Sequence, residues 1–481
     1  MRFHGSGRKL LLAGILSCGS AVALAQTSTS TTPSVPGQAI PGTQGVSPFA
    51  GSTPSPPVAG VLPLSLHEAI DRGLKYNLGL LVSDTDLRTA RGQRWAQLSA
   101  LLPHVTGVAY VASEKVNLSE LGFTGAAGIP FPKSVGPFSY FDARVTMTQS
   151  VLDWKAIASA RAAGQSLQSA QHSYRDARDL VVLAVGYVYL QAIADEARIE
   201  TTEAQVKTAQ ALFKQATDQV TAGTSPAIDG LRAKVELQTR QQQLIQARNN
   251  LAIQKLTVAR VIGLPPGQEF AFTDKSPYQP FKGIAVEDAL ARAYRARSDY
   301  QAAKTDVRAA ELSREAAVAG YFPSLSFSAN VGAAGASSPA TTLVFDVRGT
   351  LTIPLFEGGS VHGQVLQADA RLEKSRELLQ NLQSQIDSDV RSALLNLQSS
   401  AELVQVARSN IDLAEQTLTQ SRDRFSAGVT DTVEVVQSQE AVASAHEQYI
   451  ASLYSYNFAK ISLARILGIA EGGIEELLRG K

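Results

Sequence analysis

Two Asp-x-Arg-x-Thr segments are the most regularly placed charged residues of the chain. One spans Asp142 to Thr146 and includes Arg144, and the other spans Asp346 to Thr350 and includes Arg348. Their charged residues alternate with apolar ones, a pattern that favours a β-strand with one polar and one apolar face. Carboxylates and guanidinium groups on such a polar face could line a water-filled passage and select ions by charge.

Residue types that commonly carry catalysis form no recognisable constellation in the sequence. The histidines beyond residue 25 stand at 67, 104, 172, 362 and 446, and no pair has the spacing of metal ligands on one helix face. Neither a phosphate-binding glycine loop nor a nucleophile elbow is present. The formal net charge of +1 gives no indication of a nucleic-acid partner. We therefore expect no enzyme activity, no cofactor, no metal site and no nucleic acid.

The N-terminus has the features of an exported protein. Residues 1–25 combine basic residues, an apolar run and a small-x-small cleavage site at Ala23-Leu-Ala25, which predicts a signal peptide. Cys18 is the only cysteine and offers an alternative, a lipidated N-terminus, although the large Leu16 fits that pattern poorly. Residues 26–63 are rich in Ser, Thr, Pro and Gly and carry no charge, which predicts a disordered leader.

The rest of the chain repeats one plan twice. Ala69 corresponds to Ala289 and Pro103 to Pro323, and each copy ends in a short apolar segment with a central glycine. A repeat of this length defines the architecture before any single residue does. The predicted divisions are a first repeat over 64–265, a linker over 266–283, a second repeat over 284–469 and a C-terminal tail over 470–481.

Each copy predicts a helix, two strands, a very long helix, a turn and a returning helix. The first helices are expected over Leu66–Leu102 and Val286–Phe322, each ended by a proline. The strands, each about ten residues, are expected at His104–Ala112, Phe141–Thr148, Ser324–Val331 and Phe345–Ile353. The long helices are expected over Lys155–Thr221 and His362–Ala427, and the returning helices over Ala227–Ile262 and Thr432–Leu467. Gly223 and Gly428 mark the turns, and Ser225 or Thr430 could cap the helix that follows.

The four amphipathic strands suit a membrane, with lipid on one face and water on the other. Any one of them could be a half-buried strand of a soluble sheet, but the chain offers little other sheet for them to join. An open four-stranded sheet would leave unpaired backbone groups in lipid, which costs several kcal/mol for each group. We therefore expect the chain to oligomerise, with eight strands in a dimer or twelve in a trimer.

This arrangement resembles the TolC-type outer membrane efflux protein family. The resemblance rests on the tandem copies, on the Phe425-x-x-Gly428 turn followed six positions later by Glu434, and on the Ile-Gly-Leu and Leu-Gly-Ile ends of the returning helices. It implies a mainly α fold with a membrane β-barrel portion. Three chains would form one twelve-stranded β-barrel in the outer membrane, continued by a long periplasmic α-helical barrel with two structural repeats per chain.

The resemblance also implies roles for particular residues. The tip where a periplasmic adaptor protein docks would be formed by Gly223, Thr224, Asp229, Gly428 and Val429. A periplasmic gate or selectivity site would involve Phe425, Thr430, Asp431 and Glu434, and the barrel lumen would carry Asp142, Arg144, Asp346 and Arg348. The acids at 229 and 434 could form rings of three carboxylates, or could simply complement a helix dipole.

The chain departs from the family pattern near the predicted gate. Phe425 stands where a tyrosine hydroxyl could form a bond, Thr430 where an arginine can occur, and Gln437 where a second acid can occur. These three residues disfavour a gate closed by those polar links, and packing around Phe425 and Val429 is the alternative.

The function that the resemblance implies is a passive export channel. It would be the exit duct of a tripartite efflux pump for small toxic molecules, with an inner-membrane pump and an adaptor as partners. An exit duct of a type I protein secretion system remains open as an alternative. A periplasmic coiled-coil scaffold without a pore is an alternative of another class.

Overall fold

The computed structural model describes residues 48–118, 120, 132–274, 278–281, 283–336 and 341–472. The predicted signal peptide, residues 26–47 of the leader and residues 473–481 of the C-terminal tail lie outside these residues. The helices are α1 (Leu66–Tyr76), α2 (Leu78–Ser99), α3 (Trp154–Thr221), α4 (Ala227–Ile262), α5 (Val286–Ala296), α6 (Ser298–Val318), α7 (Ser360–Ser426) and α8 (Thr432–Ile466). The strands are β1 (Leu62–Leu64), β2 (His104–Asn117), β3 (Ser134–Leu152), β4 (Phe270–Phe272), β5 (Ser324–Gly335) and β6 (Thr341–Thr352).

The first predicted helix of each repeat is in fact two helices. Asn77 separates α1 from α2 in an extended conformation, and its side chain accepts a bond from the Gly79 amide at 3.0 Å. Its amide nitrogen donates to the carbonyls of Phe49 and Val261 at 2.8 and 3.2 Å. Arg297 separates α5 from α6, also in an extended conformation, but its guanidinium pairs with the Asp299 and Asp389 carboxylates and makes no cap bond. The prediction of single helices is therefore wrong: a buried polar residue interrupts each one, and at Asn77 its side chain also satisfies the interrupted backbone.

The predicted disordered leader is wrong for residues 48–63. The Thr53 amide donates to the Tyr76 carbonyl at 2.9 Å, and the Ser55 amide donates to the Gly263 carbonyl at 2.8 Å. Strand β1 pairs in parallel with β4, which lies in the predicted linker. These backbone bonds tie the segment to the ends of α1 and α4, so its low apolar content does not leave it without partners.

The main sheet is antiparallel and has the strand order β2-β3-β5-β6. Its strands are 14, 19, 12 and 12 residues long, longer than the predicted ten or so. Strand β2 continues past the predicted end at Ala112 to Asn117, and β3 begins at Ser134, before the predicted start at Phe141. Between the two repeats, β3 pairs with β5 over most of its length.

The long helices α3 and α7 have 68 and 67 residues. At 1.5 Å per residue each spans roughly 100 Å. Helix α4 packs on α3, α3 on α8, and α8 on α7, while nearer the sheet the order is α2, α3, α6 and α7. The largest core lies under α1, where Val181, Val185 and Tyr189 of α3 meet Ile262 of α4 and Ile461 of α8.

One stretch of α3 is long and apolar enough to cross a membrane by composition alone. Its most apolar 18-residue window has a mean hydropathy of 1.5, and 61% of that window is buried within the fold. The packing of its valines under α1 accounts for this composition.

Both long helices end in the same glycine turn. Gly223 has φ +73° and Gly428 has φ +71°, and each amide donates to the carbonyl three residues earlier. The following amide, of Thr224 or Val429, donates to the carbonyl five residues earlier, which completes a Schellman motif. The cap of α8 is Asp431, whose carboxylate accepts from the Val433 amide at 3.1 Å.

The predicted caps of the returning helices are wrong. Pro226 occupies the N-cap of α4 and makes no side-chain cap bond, and Asp431 takes the place expected for Thr430. The hydroxyls of Ser225 and Thr430 instead donate to acids one turn into each helix, at 3.2 and 2.5 Å.

Candidate functional site

The main sheet has one polar and one apolar face across all four strands. Residues directly opposite in an antiparallel pair share a face, so the strand register defines both faces. Asp142 lies between Tyr110 and Ala334, and Asp346 lies opposite Asn330. Followed across all four strands, this register places the predicted lumen residues Asp142, Arg144, Asp346 and Arg348 on the same, polar face.

The side chains on the apolar face of the sheet are exposed in the single chain. Phe345 is 75% exposed and Leu343 is 72% exposed, and further valines of β2, β3 and β6 are open in the same way. Patches of this kind mark contacts with a partner or a membrane. Strands β2 and β6 are the two edges of this sheet within the described residues, and each has an unpaired side.

The predicted lumen residues form two ion pairs. Arg144 donates to both carboxylate oxygens of Asp142 at 2.7 Å, and Asp142 is buried. Arg348 lies 3.5 Å from Asp346 in a more open position. A polar face built from such pairs and from Thr and Ser hydroxyls is compatible with water.

Large aromatic side chains surround the boundary between sheet and helices. The two tryptophans of the chain, Trp95 and Trp154, are both exposed, as are Tyr321, Phe322 and Phe356. Trp154 lies two residues after the end of β3, and Phe322 lies two residues before the start of β5. Trp and Tyr are enriched where a membrane meets water, so this boundary suits one edge of a bilayer.

The first tip turn contains a buried acid. Asp229 is only 4% exposed, and it accepts a bond from Ser225 and lies 3.6 Å from Arg232. Thr224 donates its hydroxyl back to the Gln219 carbonyl at 3.0 Å. This carboxylate therefore stabilises the turn, while Gly223 and Thr224 form its outer surface.

The second tip turn presents its acid more openly. The Glu434 side chain is 35% exposed, accepts a bond from Thr430 at 2.5 Å and lies 3.6 Å from Arg424. Asp431 holds the start of α8, and Val429 is exposed at the apex. The two turns thus carry acids at equivalent positions in different environments.

Phe425 lies inside the fold rather than on its surface. It is 3% exposed and packs in a cluster that draws on all four helices near the tip. The other buried members of this cluster are Leu212, Ala216, Ala233, Leu418 and Val435. Phe425 therefore joins the two helical hairpins within one chain, whereas Val429 remains free to contact another chain.

Three aromatic residues of the polar face were not predicted as site residues. Tyr110 lies directly opposite Asp142, and Tyr140 and Phe138 follow on the same face towards the start of β3. The signal was present in the sequence, because 138 and 140 have the same parity along the strand as 142 and 144.

Comparisons with known proteins agree with this geometry. A family model described as Outer membrane efflux protein matches residues 69–264 and 289–469. The chain is 24% identical over 427 residues to the probable efflux pump outer membrane protein TtgC of Pseudomonas putida, covering 84% of this chain and 83% of that protein. It is 23% identical to the alkaline protease secretion protein AprF of Pseudomonas aeruginosa, covering 69% of this chain and 71% of that protein.

The fold is also similar to that of a solved channel. The outer membrane channel CmeC of Campylobacter jejuni superposes with a TM-score of 0.75 at 15% identity, covering 86% of this chain and 89% of that chain. The predicted fold class, mainly helical with paired strands in two repeats, is confirmed. Closure of the strands into a barrel stays a prediction.

Proposed function

Because the chain belongs to the outer membrane efflux protein family, and is an outer membrane protein that extends into the periplasm, we propose that three copies form the exit duct of a tripartite efflux pump. The duct conducts small toxic molecules passively across the periplasm and the outer membrane. A periplasmic adaptor docks at the two tip turns and connects the duct to an inner-membrane pump. The observation that carries this proposal is the open sheet with one exposed apolar face.

In the sheet, in the helices beside it and in the helices near the tip, one outermost element belongs to the first repeat and the other to the second. The outer elements are β2 and β6 in the sheet, α2 and α7 beside it, and α4 and α7 nearer the tip. Two different edges favour a head-to-tail contact, in which the first-repeat edge of one copy meets the second-repeat edge of the next. Such contacts close into a ring and leave no strand edge in lipid.

The outer helices carry apolar stripes suited to that contact. The large exposed apolar residues of α4 fall on one face at helical spacing, and so do most of those of α7. The α4 stripe comprises Ile228, Leu231, Val235, Ile245, Ile253 and Leu256, and the α7 stripe comprises Leu366, Leu395, Leu403, Val406 and Leu413. Burying both stripes in a neighbouring copy would remove them from water.

The assembly is tested with purified protein in a mild detergent. We expect a species of three chains that separates into monomers only on heating. Recovery of the protein as a soluble monomer would contradict both the barrel and the channel. A stable trimer that carries no current across a planar bilayer would instead favour the scaffold without a pore.

The selectivity role of the tip is tested at Glu434. Because its carboxylate is partly exposed, Glu434→Gln should weaken block of single-channel current by multivalent cations. Asp229→Asn is the matched control, since that acid is buried and should leave the block unchanged. An unchanged block in Glu434→Gln would remove this residue from the pore lining.

Type I protein secretion is a second candidate function, and similarity to AprF favours it. Small-molecule efflux ranks first because TtgC matches a larger share of the chain. Deleting the gene separates the two. Loss of resistance to dyes and antibiotics with unchanged secreted proteins supports efflux, and the reverse pattern supports secretion.

A further inference from the structure

Three aromatic side chains form a cluster on the polar face of the main sheet. Tyr110 and Tyr140 meet edge to face with ring centroids 5.9 Å apart, and Phe138 lies 6.5 Å from Tyr140. We call Tyr110, Phe138 and Tyr140 the aromatic collar. Large aromatic residues belong on the lipid side of a membrane strand, so their position on the water side needs a separate explanation.

The collar is open on the side that faces away from the sheet. Tyr110 and Phe138 are exposed, and both lie in the β2–β3 ladder, opposite Asp142 and Glu114 respectively. Two neighbouring residues of the same face are small: Ala112 lies opposite Tyr140, and Ala334 lies beside Asp142. These small residues and the exposure of Tyr110 and Phe138 leave room beside the rings for a flat ligand.

The charges around the collar favour a cation. The Tyr140 hydroxyl donates to Glu114 at 3.3 Å, and Glu114 is exposed. Asp142 is neutralised by Arg144, as Asp346 is by Arg348, so Glu114 is the one acid of this face in the described strands without an arginine partner. Ring faces attract cations, and the Glu114 carboxylate would repel anions, so both effects favour a cationic ligand over an anionic one.

We propose that the aromatic collar is a cargo-contact site that binds planar organic cations on their way out of the duct. The proposal rests on the proposed channel function, because only ring closure turns the polar face of the sheet into a lumen. In a trimer, nine rings and three unpaired carboxylates would surround the passage at this level. Flat cations would stack on the rings, while neutral and anionic molecules of the same size would pass with weaker contact.

The test measures how ethidium blocks the channel current in a planar bilayer. The ethidium is added on the side of the membrane where the chain connects β2 to β3. Tyr110→Leu combined with Tyr140→Leu removes two rings and keeps apolar bulk. This double variant should raise the ethidium concentration for half-block by roughly 4- to 25-fold, since each cation–π contact accounts for about a 2- to 5-fold change. Tyr110→Phe combined with Tyr140→Phe keeps the rings and is the matched control, which should stay close to the wild type.

Two further probes test the charge. Neutral N-phenylnaphthylamine and anionic anilinonaphthalene sulfonate should block the wild-type channel weakly, and equal block by either would overturn cation selection. Equal ethidium block in the leucine variant and the wild type would overturn the site itself. The current measured without any probe is the control for channel formation. A wild-type protein that conducts no current refutes the proposed function. A leucine variant with normal conductance is correctly assembled, so its response to ethidium tests the site alone.

Discussion

Lys460 is a buried charge whose removal should stabilise the protein. It lies on α8 with no solvent exposure, and its ammonium donates to the Gln279 carbonyl at 2.6 Å. The Tyr456 ring lies 4.7 Å away, and no carboxylate pairs with the ammonium in the described part of the chain. Burial disfavours the charged form and lowers the pKa of Lys460 from 10.5 to about 8.

The size of the effect follows from this pKa. Between pH 8 and 10.5 the unfolded chain holds a proton that the folded chain has lost, so the free energy of unfolding rises with pH in this window. The full shift corresponds to about 3 kcal/mol, which is a cost to the folded protein at pH 7. Lys460→Met removes that cost and loses one hydrogen bond worth about 1 kcal/mol. The Gln279 carbonyl keeps a second donor, the Tyr456 hydroxyl at 2.9 Å.

Thermal unfolding followed by helical circular dichroism in detergent at pH 7, 8, 9 and 10 checks the reasoning. Lys460→Met should unfold at a higher temperature than the wild type at pH 7, and the difference should shrink towards pH 10. Lys304→Met is the control, because Lys304 also lies over a tyrosine ring, at 5.7 Å, but is exposed. A lower unfolding temperature for Lys460→Met at pH 7, or a difference that does not change with pH, would refute the argument.

Three further predictions concern the sheet, the tip and the core. A β-carbon at Gly332 would lie 2.1 Å from the Ala143 carbonyl oxygen, so Gly332→Ala should abolish trimers in detergent, whereas Gly349→Ala, with nothing within 4 Å, should retain them. Gly428→Val places a branched residue at φ +71° at a cost of about 1–2 kcal/mol, and it should keep trimers but lose drug resistance in cells. Burial raises the pKa of Asp179 to about 6, so the free energy of unfolding falls as pH rises from about 4 to 6. Asp179→Asn should therefore raise the unfolding temperature at pH 7 and flatten this dependence.

Periodicity predicted the long elements well, because their packing repeats the same contact many times. The returning helix Ala227–Ile262 has the predicted bounds, and the polar and apolar faces of the four strands follow the predicted alternation. The acids and arginines of the lumen were found for the same reason: a strand with a period of two leaves only two faces to choose from.

Features that depend on a single long-range contact could not be predicted in this way. Asn77 interrupts a helix because Phe49 and Val261 offer carbonyls to its side chain, and neither is near it in sequence. The order of residues 48–63 likewise depends on partners in α1 and near β4. Phe425 matched a family position, but its burial depends on helices from both repeats.

The two repeats match in backbone but differ in the chemistry of their tips, and this decides how many carboxylates a pore could use. Both turns have the same Schellman bonds, yet Asp229 is buried against Ser225 while Glu434 is partly open. At these two equivalent positions, a ring of three chains would therefore present three accessible acids, all Glu434, rather than six. Cation selectivity would follow the second repeat alone, and the first repeat would contribute rigidity to the same mouth.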